Sequence, residues 1–284
     1  MKKVLLSTLF CFFFCFVIYG QKAIKVLAIG NSFSEDAVEA YLFPLGEADD
    51  VNFIIGNVYV GGCSLEQHWK FVTTNAEKYS FRKIVNGEKT TLANQTMEAC
   101  ITNEDWDYIT FQQASPNSGQ LDTFFPYLKD LKNYVMTKAT NLNVQYAMHQ
   151  TWAYDKNSEH EGFANYDRDQ MRMYNAIVST VKSAAESVGI DIIIPAGTAV
   201  QNVRGCESAT NLTRDGYHLS NLGRYIAACT WFEKLTGKSA VGNGYYPEDL
   251  SVEDRPTAQN AAHLAIETPF SITQMKCSLV ELEE

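Results

Sequence analysis

Five short apolar runs recur along this chain, separated by stretches with helical spacing, and that alternation is the order a layered α/β domain with a parallel sheet requires. The runs are Ile24–Ile29, Phe53–Val60, Asp107–Gln112, Asn143–His149 and Asp191–Pro195. Helices are predicted near Asp36–Ala48, Ser64–Tyr79, Asp122–Lys138 and Asp167–Val188, the last with Met171, Tyr174, Val178 and Val181 at helical spacing. A final one begins near Asn221 and runs to Leu235, stopping before Gly237. The expected fold is α/β: a three-layer α/β/α sandwich around a five-stranded parallel sheet, doubly wound and flavodoxin-like. Right-handed crossovers then place helices on both faces. Residues 80–105 fit neither period and read as a surface excursion. The polar, aromatic segment 154–166 reads as a long loop, and the tail beyond Val241 as carrying a short helix around Ala258–Ile266.

In such sheets ligands bind outside the carboxyl ends of the strands, so the residues after each run matter most. Asn31 and Ser32 follow the first run, and Gly61, Gly62, Cys63 and Ser64 the second. Gln112, Gln113, Ala114 and Ser115 end the third, His149, Gln150, Thr151 and Trp152 the fourth, and Gly197 and Thr198 follow the fifth. Small and polar residues therefore converge at one end of the sheet.

Three of the converging groups, Ser32, Gly61-Gly62 and Gln112-Gln113, suit acyl transfer, and Asp215 with His218 can complete them. Ser32 lies between a strand and a helix, where its backbone N–H can help hold an oxyanion. Serine is also a favoured helix cap, and Ser34, just before Glu35 and Asp36, is the better candidate for that duty, which leaves Ser32 free. Asp215 stands three residues before His218 in a turn eased by Gly216, so its carboxylate can hold one imidazole nitrogen while the other faces Ser32. Gly61-Gly62 leaves backbone N–H groups open, either as an ordinary strand-to-helix turn or as donors to an oxyanion. Gln112 and Gln113 are candidate side-chain donors, and strand alternation means that only one would face the site. Asn31, His149, Trp152 and Tyr154 are expected to line the substrate pocket, and Trp152, Tyr154, Phe163 and Tyr166 form either an aromatic rim suited to a sugar ring or ordinary packing.

Residues 1–20 carry Lys2 and Lys3, an apolar run from Val4 to Tyr19 and then Gly20, the layout of a secretory signal peptide. Residues 21–284 are expected to form one large α/β domain, with its core at about 23–236 and an extension at 237–284. Loss of the two lysines would take the formal charge from −10 to −12. An acidic chain without a basic cluster argues against nucleic acid, and against a membrane surface once the leader is cleaved. Cys63, Cys100, Cys206, Cys229 and Cys277 remain after the leader, an odd number without any C-x-x-C pair. No H-E-x-x-H or comparable spacing marks a metal site, so neither metal nor cofactor is expected.

The order Gly30-Asn31-Ser32, Gly62, Gln112-Gln113 and Asp215-x-x-His218 resembles the SGNH (GDSL-like) hydrolase superfamily. More narrowly it resembles an SGNH-related family of Bacteroidetes carrying Gly-Gly-Cys-Ser-Leu-Glu-Gln-His, Phe-Gln-Gln-Ala-Ser, Thr-Trp-Ala-Tyr and Arg-Asp-Gly-Tyr-His-Leu-Ser. The resemblance implies a secreted serine esterase with Ser32 as nucleophile, His218 as base and Asp215 as its orienter. It also implies an oxyanion hole from Ser32, Gly62 and a side-chain amide, and an ester substrate, most simply an O-acetylated carbohydrate. Asn31 replaces the usual aspartate beside the nucleophile, and the third block lacks Gly-x-Asn-Asp, so the amide role would pass to Gln112 or Gln113, pass to another group, or be absent. The altered block leaves two alternatives: a carbohydrate-binding protein on a degenerate scaffold, and a lipid esterase or thioesterase.

Overall fold

A computed structural model describes residues 22–206 and 211–275. The proposed signal peptide and Cys277 lie outside the described residues. Seven strands form one sheet: β1 (Ile24–Gly30), β2 (Phe53–Tyr59), β3 (Tyr79–Val85), β4 (Glu88–Gln95), β5 (Tyr108–Phe111), β6 (Gln145–His149) and β7 (Ile192–Ile194). Their order across the sheet is β4-β3-β2-β1-β5-β6-β7. The five predicted strands are β1, β2, β5, β6 and β7, all parallel. β1 lies at the centre, with Val26, Leu27, Ala28 and Ile29 buried, because helices cover both of its faces.

Two strands correct the expected count of five. β3 and β4 form a hairpin that extends the β2 edge antiparallel, inside the stretch expected to be an excursion. Its turn is Asn86-Gly87, with φ of 51° and 79°, the left-handed pair that a tight two-residue hairpin requires. β4 reads Glu-Lys-Thr-Thr-Leu-Ala-Asn-Gln and is exposed almost throughout, so it carries no apolar alternation to announce it.

Nine α-helices connect the described strands: α1 (Ser32–Val38), α2 (Leu42–Glu47), α3 (Leu65–Thr73), α4 (Met97–Ile101), α5 (Tyr127–Lys138), α6 (Gln170–Val188), α7 (Ala196–Arg204), α8 (Asn221–Thr236) and α9 (Asp254–Glu267). α8 packs with α1, α2, α7 and α9, whereas α5 packs with α3 and α4 on the other side, giving the three expected layers. Local signals set the ends. Ser64 and Gln67 close a reciprocal capping box on α3, and Gly189 and Gly237 end α6 and α8 in left-handed conformations. Cys63, Cys100 and Cys229 are free thiols, and Cys206 is disulfide-bonded. No described helix is long and apolar enough to cross a membrane.

β1 is flanked by β2 on one side and β5 on the other, so the chain reverses its direction of travel across the sheet at β1. That reversal opens a crevice at the carboxyl end of β1, where Ser32 begins α1.

Candidate active site

Asn31, not Ser34, caps α1. Its Oδ1 accepts the Phe33 N–H at 3.0 Å, which corrects the cap expected of Ser34. The hydroxyl of Ser34 instead turns inward to the Asn31 carbonyl and to Asn57. Ser32 is thereby the first residue of the helix, and its N–H is one of those a helix start leaves without an intrahelical acceptor.

The imidazole arrives from the opposite wall. Thr213 and Leu219 bridge across a tight turn in which Gly216 takes φ +88°, and Gly216 is also packed close against Ser158. Within the turn, Asp215 Oδ1 accepts the N–H groups of Tyr217 and His218 at 3.1 and 2.7 Å. Its Oδ2 meets His218 Nδ1 at 2.6 Å, and His218 Nε2 meets Ser32 Oγ at 2.9 Å. Since a carboxylate can only accept, Nδ1 carries the ring proton and Nε2 is left to accept from the serine hydroxyl. Desolvation opposes ionisation of Asp215, but the His218 ring and the two backbone N–H groups outweigh it and hold the carboxyl below its ordinary range.

Ser32 and His218 face a cleft of about 510 Å³. Gly62 lies on its rim with φ +63°, in the turn closed by the Cys63 N–H on Val60 C=O, and nothing stands within 4 Å of where a Cβ would be. Apart from Pro116 and the glycines, the wall is polar or aromatic, including Glu35, Tyr59, Ser115, His160 and Arg214.

Several expected site residues sit elsewhere. Gln113 does not reach the cleft: its Oε1 accepts the N–H groups of Leu65 and Ala114, and its Nε2 donates to the Thr123 carbonyl. Gln112 is also turned away. Its Nε2 donates to Asn31 Oδ1 at 2.8 Å and its Oε1 accepts from His149 Nδ1 at 2.8 Å. These amides are committed because a buried amide without partners would be costly, and the strand ends supply partners before the cleft does. Asn31 borders the cleft, but its amide is likewise spent on Phe33, Gln112 and the Cys63 carbonyl. His149 is a sealed core histidine, pushed down to about 3 by desolvation, rather than a pocket wall.

Trp152 and Tyr154 form no rim. Trp152 stacks on Phe33 at 4.3 Å and donates from Nε1 to the Tyr217 carbonyl, which braces the histidine turn from behind. Tyr154 is buried with its hydroxyl 2.7 Å from Ser115 Oγ, and Phe163 and Tyr166 are buried too. Large aromatics gain more from enclosure than from lining a polar cleft.

The sequence reading missed Asp36, Arg214 and Arg224. Asp36 on α1 accepts from both arginines and from the Leu219 N–H, riveting the histidine turn to the helix that starts at Ser32. Only the position of Arg214, directly before Asp215, hinted at this.

The family model of the domain of unknown function DUF4886 matches residues 25–265. The chain belongs to the DUF4886 family. A DUF4886 protein from Bacteroides uniformis, known from a crystal structure, is 50% identical, with a TM-score of 0.88 over 89% of this chain and 98% of that one. The acetylxylan esterase Axe2 from Geobacillus stearothermophilus shares the fold at a TM-score of 0.50 and 13% identity, over 75% of this chain and 94% of that one. This DUF4886 chain thus has the SGNH-hydrolase type of fold, with the β3–β4 hairpin making seven strands. No curated protein matches it in sequence.

Proposed function

We propose that this DUF4886 protein is an exported serine esterase that removes short acyl groups, acetyl above all, from polar alcohols. The observation that carries the reading is the unbroken chain Asp215 Oδ2–His218 Nδ1, His218 Nε2–Ser32 Oγ, at 2.6 and 2.9 Å, at the mouth of a cleft. Ser32 Oγ attacks the ester carbonyl carbon as His218 Nε2 takes its proton, and Asp215 holds the imidazolium. The carbonyl oxygen, now an oxyanion, is received by the N–H groups of Ser32 and Gly62. His218 returns the proton to the departing alkoxide, and a water activated by the same nitrogen then hydrolyses the acyl-enzyme.

The cleft wall, with Pro116 as its one aliphatic side chain among polar and aromatic groups, supports a short acyl group over a long aliphatic tail. An O-acetylated carbohydrate is the proposed substrate class, by analogy with the acetylxylan esterase that shares the fold. The test is covalent labelling. A fluorophosphonate should add one adduct to the native chain at Ser32 and none to Ser32→Ala, whereas equal labelling of both would overturn Ser32 as nucleophile. Across 4-nitrophenyl esters, rates should fall as the acyl chain lengthens beyond acetyl.

A further inference from the structure

His160 belongs to no part of the proposed mechanism, yet it lies in the cleft wall with Ser32 and His218. It precedes the 3-10 turn Glu161–Tyr166 and caps it: Nδ1 accepts the Gly162 N–H at 3.0 Å. A backbone N–H can only donate, so Nδ1 is unprotonated and the proton of the neutral ring sits on Nε2. Among the described residues no protein group accepts that Nε2–H. The ring itself is fixed, its centroid 4.8 Å from that of Tyr154 and 4.6 Å from that of Tyr217. Burial, and then the neighbouring His218, push His160 below the ordinary histidine range, against Glu161 and Asp215.

Position then decides what this donor can meet. In the esterase reading, on which this inference rests, the acyl oxygen is held on the Ser32 and Gly62 side. The leaving alcohol must lie on the His218 side, because His218 delivers its proton. His160 packs against Tyr217, the chain neighbour of His218, and so lies on that same side.

We propose that His160 Nε2–H is a fixed hydrogen-bond donor to the alcohol half of the substrate, selecting alcohols that carry oxygen acceptors beside the scissile ester. With Nδ1 turned back into its own loop, the Nε2–H edge is what the residue offers the cleft. His160 is half-buried, and an Nε2–H that gives up water to a plain aryl or alkyl alcohol penalises that alcohol, whereas a polyol satisfies it.

Two variants test this in the full mature chain. His160→Asn keeps an oxygen able to cap Gly162 but is too short to present the donor, and His160→Phe keeps the ring and removes both nitrogens. The probes are glycerol triacetate, whose alcohol half is rich in oxygen acceptors, and phenyl acetate, whose alcohol half has none beyond the ester. Expected is a fall of about tenfold in kcat/KM on glycerol triacetate for both variants, the size of one lost hydrogen bond, with phenyl acetate changed less than about twofold. Equal losses on both esters, or no loss on either, would overturn the assignment. Hydrolysis of neither ester by the native chain would instead sink the esterase reading itself.

Discussion

Asp36 and Arg214 are 178 residues apart in sequence and 2.9 Å apart in space, and the carboxylate is closed to solvent. Arg224 reaches the same Oδ1 at 2.7 Å and the Leu219 N–H takes Oδ2 at 2.8 Å, so both oxygens are occupied. The helix that begins at Ser32 and the turn that carries His218 are thus held by one buried charge. Asp36→Asn leaves two partly exposed arginines facing a neutral amide and the Leu219 N–H with a weaker acceptor, at a cost of about 2–3 kcal/mol. The melting temperature should fall by roughly 10 °C, as read by a thermal melt. Esterase activity should fall with it at temperatures where the variant is still folded, because the distance from Ser32 to His218 is no longer fixed.

Gln112 should act on rate rather than on binding. Its Nε2 is one of two donors on Asn31 Oδ1, and Asn31 also ties the Ser32 turn to the Cys63 carbonyl. Gln112→Leu should lower kcat about tenfold while KM holds, because the first turn of α1 loses an orienting bond and the cleft wall is untouched. Steady-state kinetics on one acetyl ester reads the split. An increase in KM with kcat unchanged would place Gln112 in substrate binding instead.

Two glycines at strand ends should respond very differently to alanine. At Gly62 the space is empty and only the left-handed φ of 63° resists, so Gly62→Ala should cost about 1 kcal/mol and still fold. At Gly197 a Cβ would stand 2.1 Å from the Thr151 carbonyl oxygen, in backbone that cannot swing aside. Gly197→Ala should cost about 3 kcal/mol or leave no soluble protein. Denaturant unfolding of the two variants side by side checks the contrast.

The five parallel strands were legible because buried strands must be apolar on both faces, and Ile24–Ile29 shows it directly. The β3–β4 hairpin was not, although Asn86-Gly87 carried the turn signal, because β4 hides no side chains and so has no apolar pattern. Ser32, Asp215, His218 and Gly62, which the structure brings to one cleft, could be picked out from local position alone: a strand exit, a spacing of three, a turn glycine. The roles given to Gln112, Gln113, Trp152 and Tyr154 depended on which neighbour claims each side chain, and that is settled by tertiary packing. Asp36 with Arg214 lies wholly in this second category, since nothing local marks two charges that meet across the fold.

His263 gives a pH signature that is independent of the cleft. The Glu233 carboxylate 2.7 Å from Nδ1 raises its pKa against an opposing desolvation, with Glu267 adding to the rise. A raised folded pKa contributes stability that is fully present below the unfolded value of about 6.5 and is lost as pH rises through the folded value. His263→Gln should therefore destabilise the chain more at about pH 5.5 than at about pH 8.5. Melts of both proteins across that range read the difference, and a gap that widens with pH would contradict the pairing.

The central claim is that Ser32 and His218 work as nucleophile and base. Hydrolysis of 4-nitrophenyl acetate by residues 21–284, beside Ser32→Ala and His218→Ala of unchanged melting temperature, tests it most directly. Ser32 as nucleophile predicts native turnover well above background and a loss of at least about 1,000-fold in each variant. Native turnover no faster than background, or turnover that survives in Ser32→Ala, would contradict it.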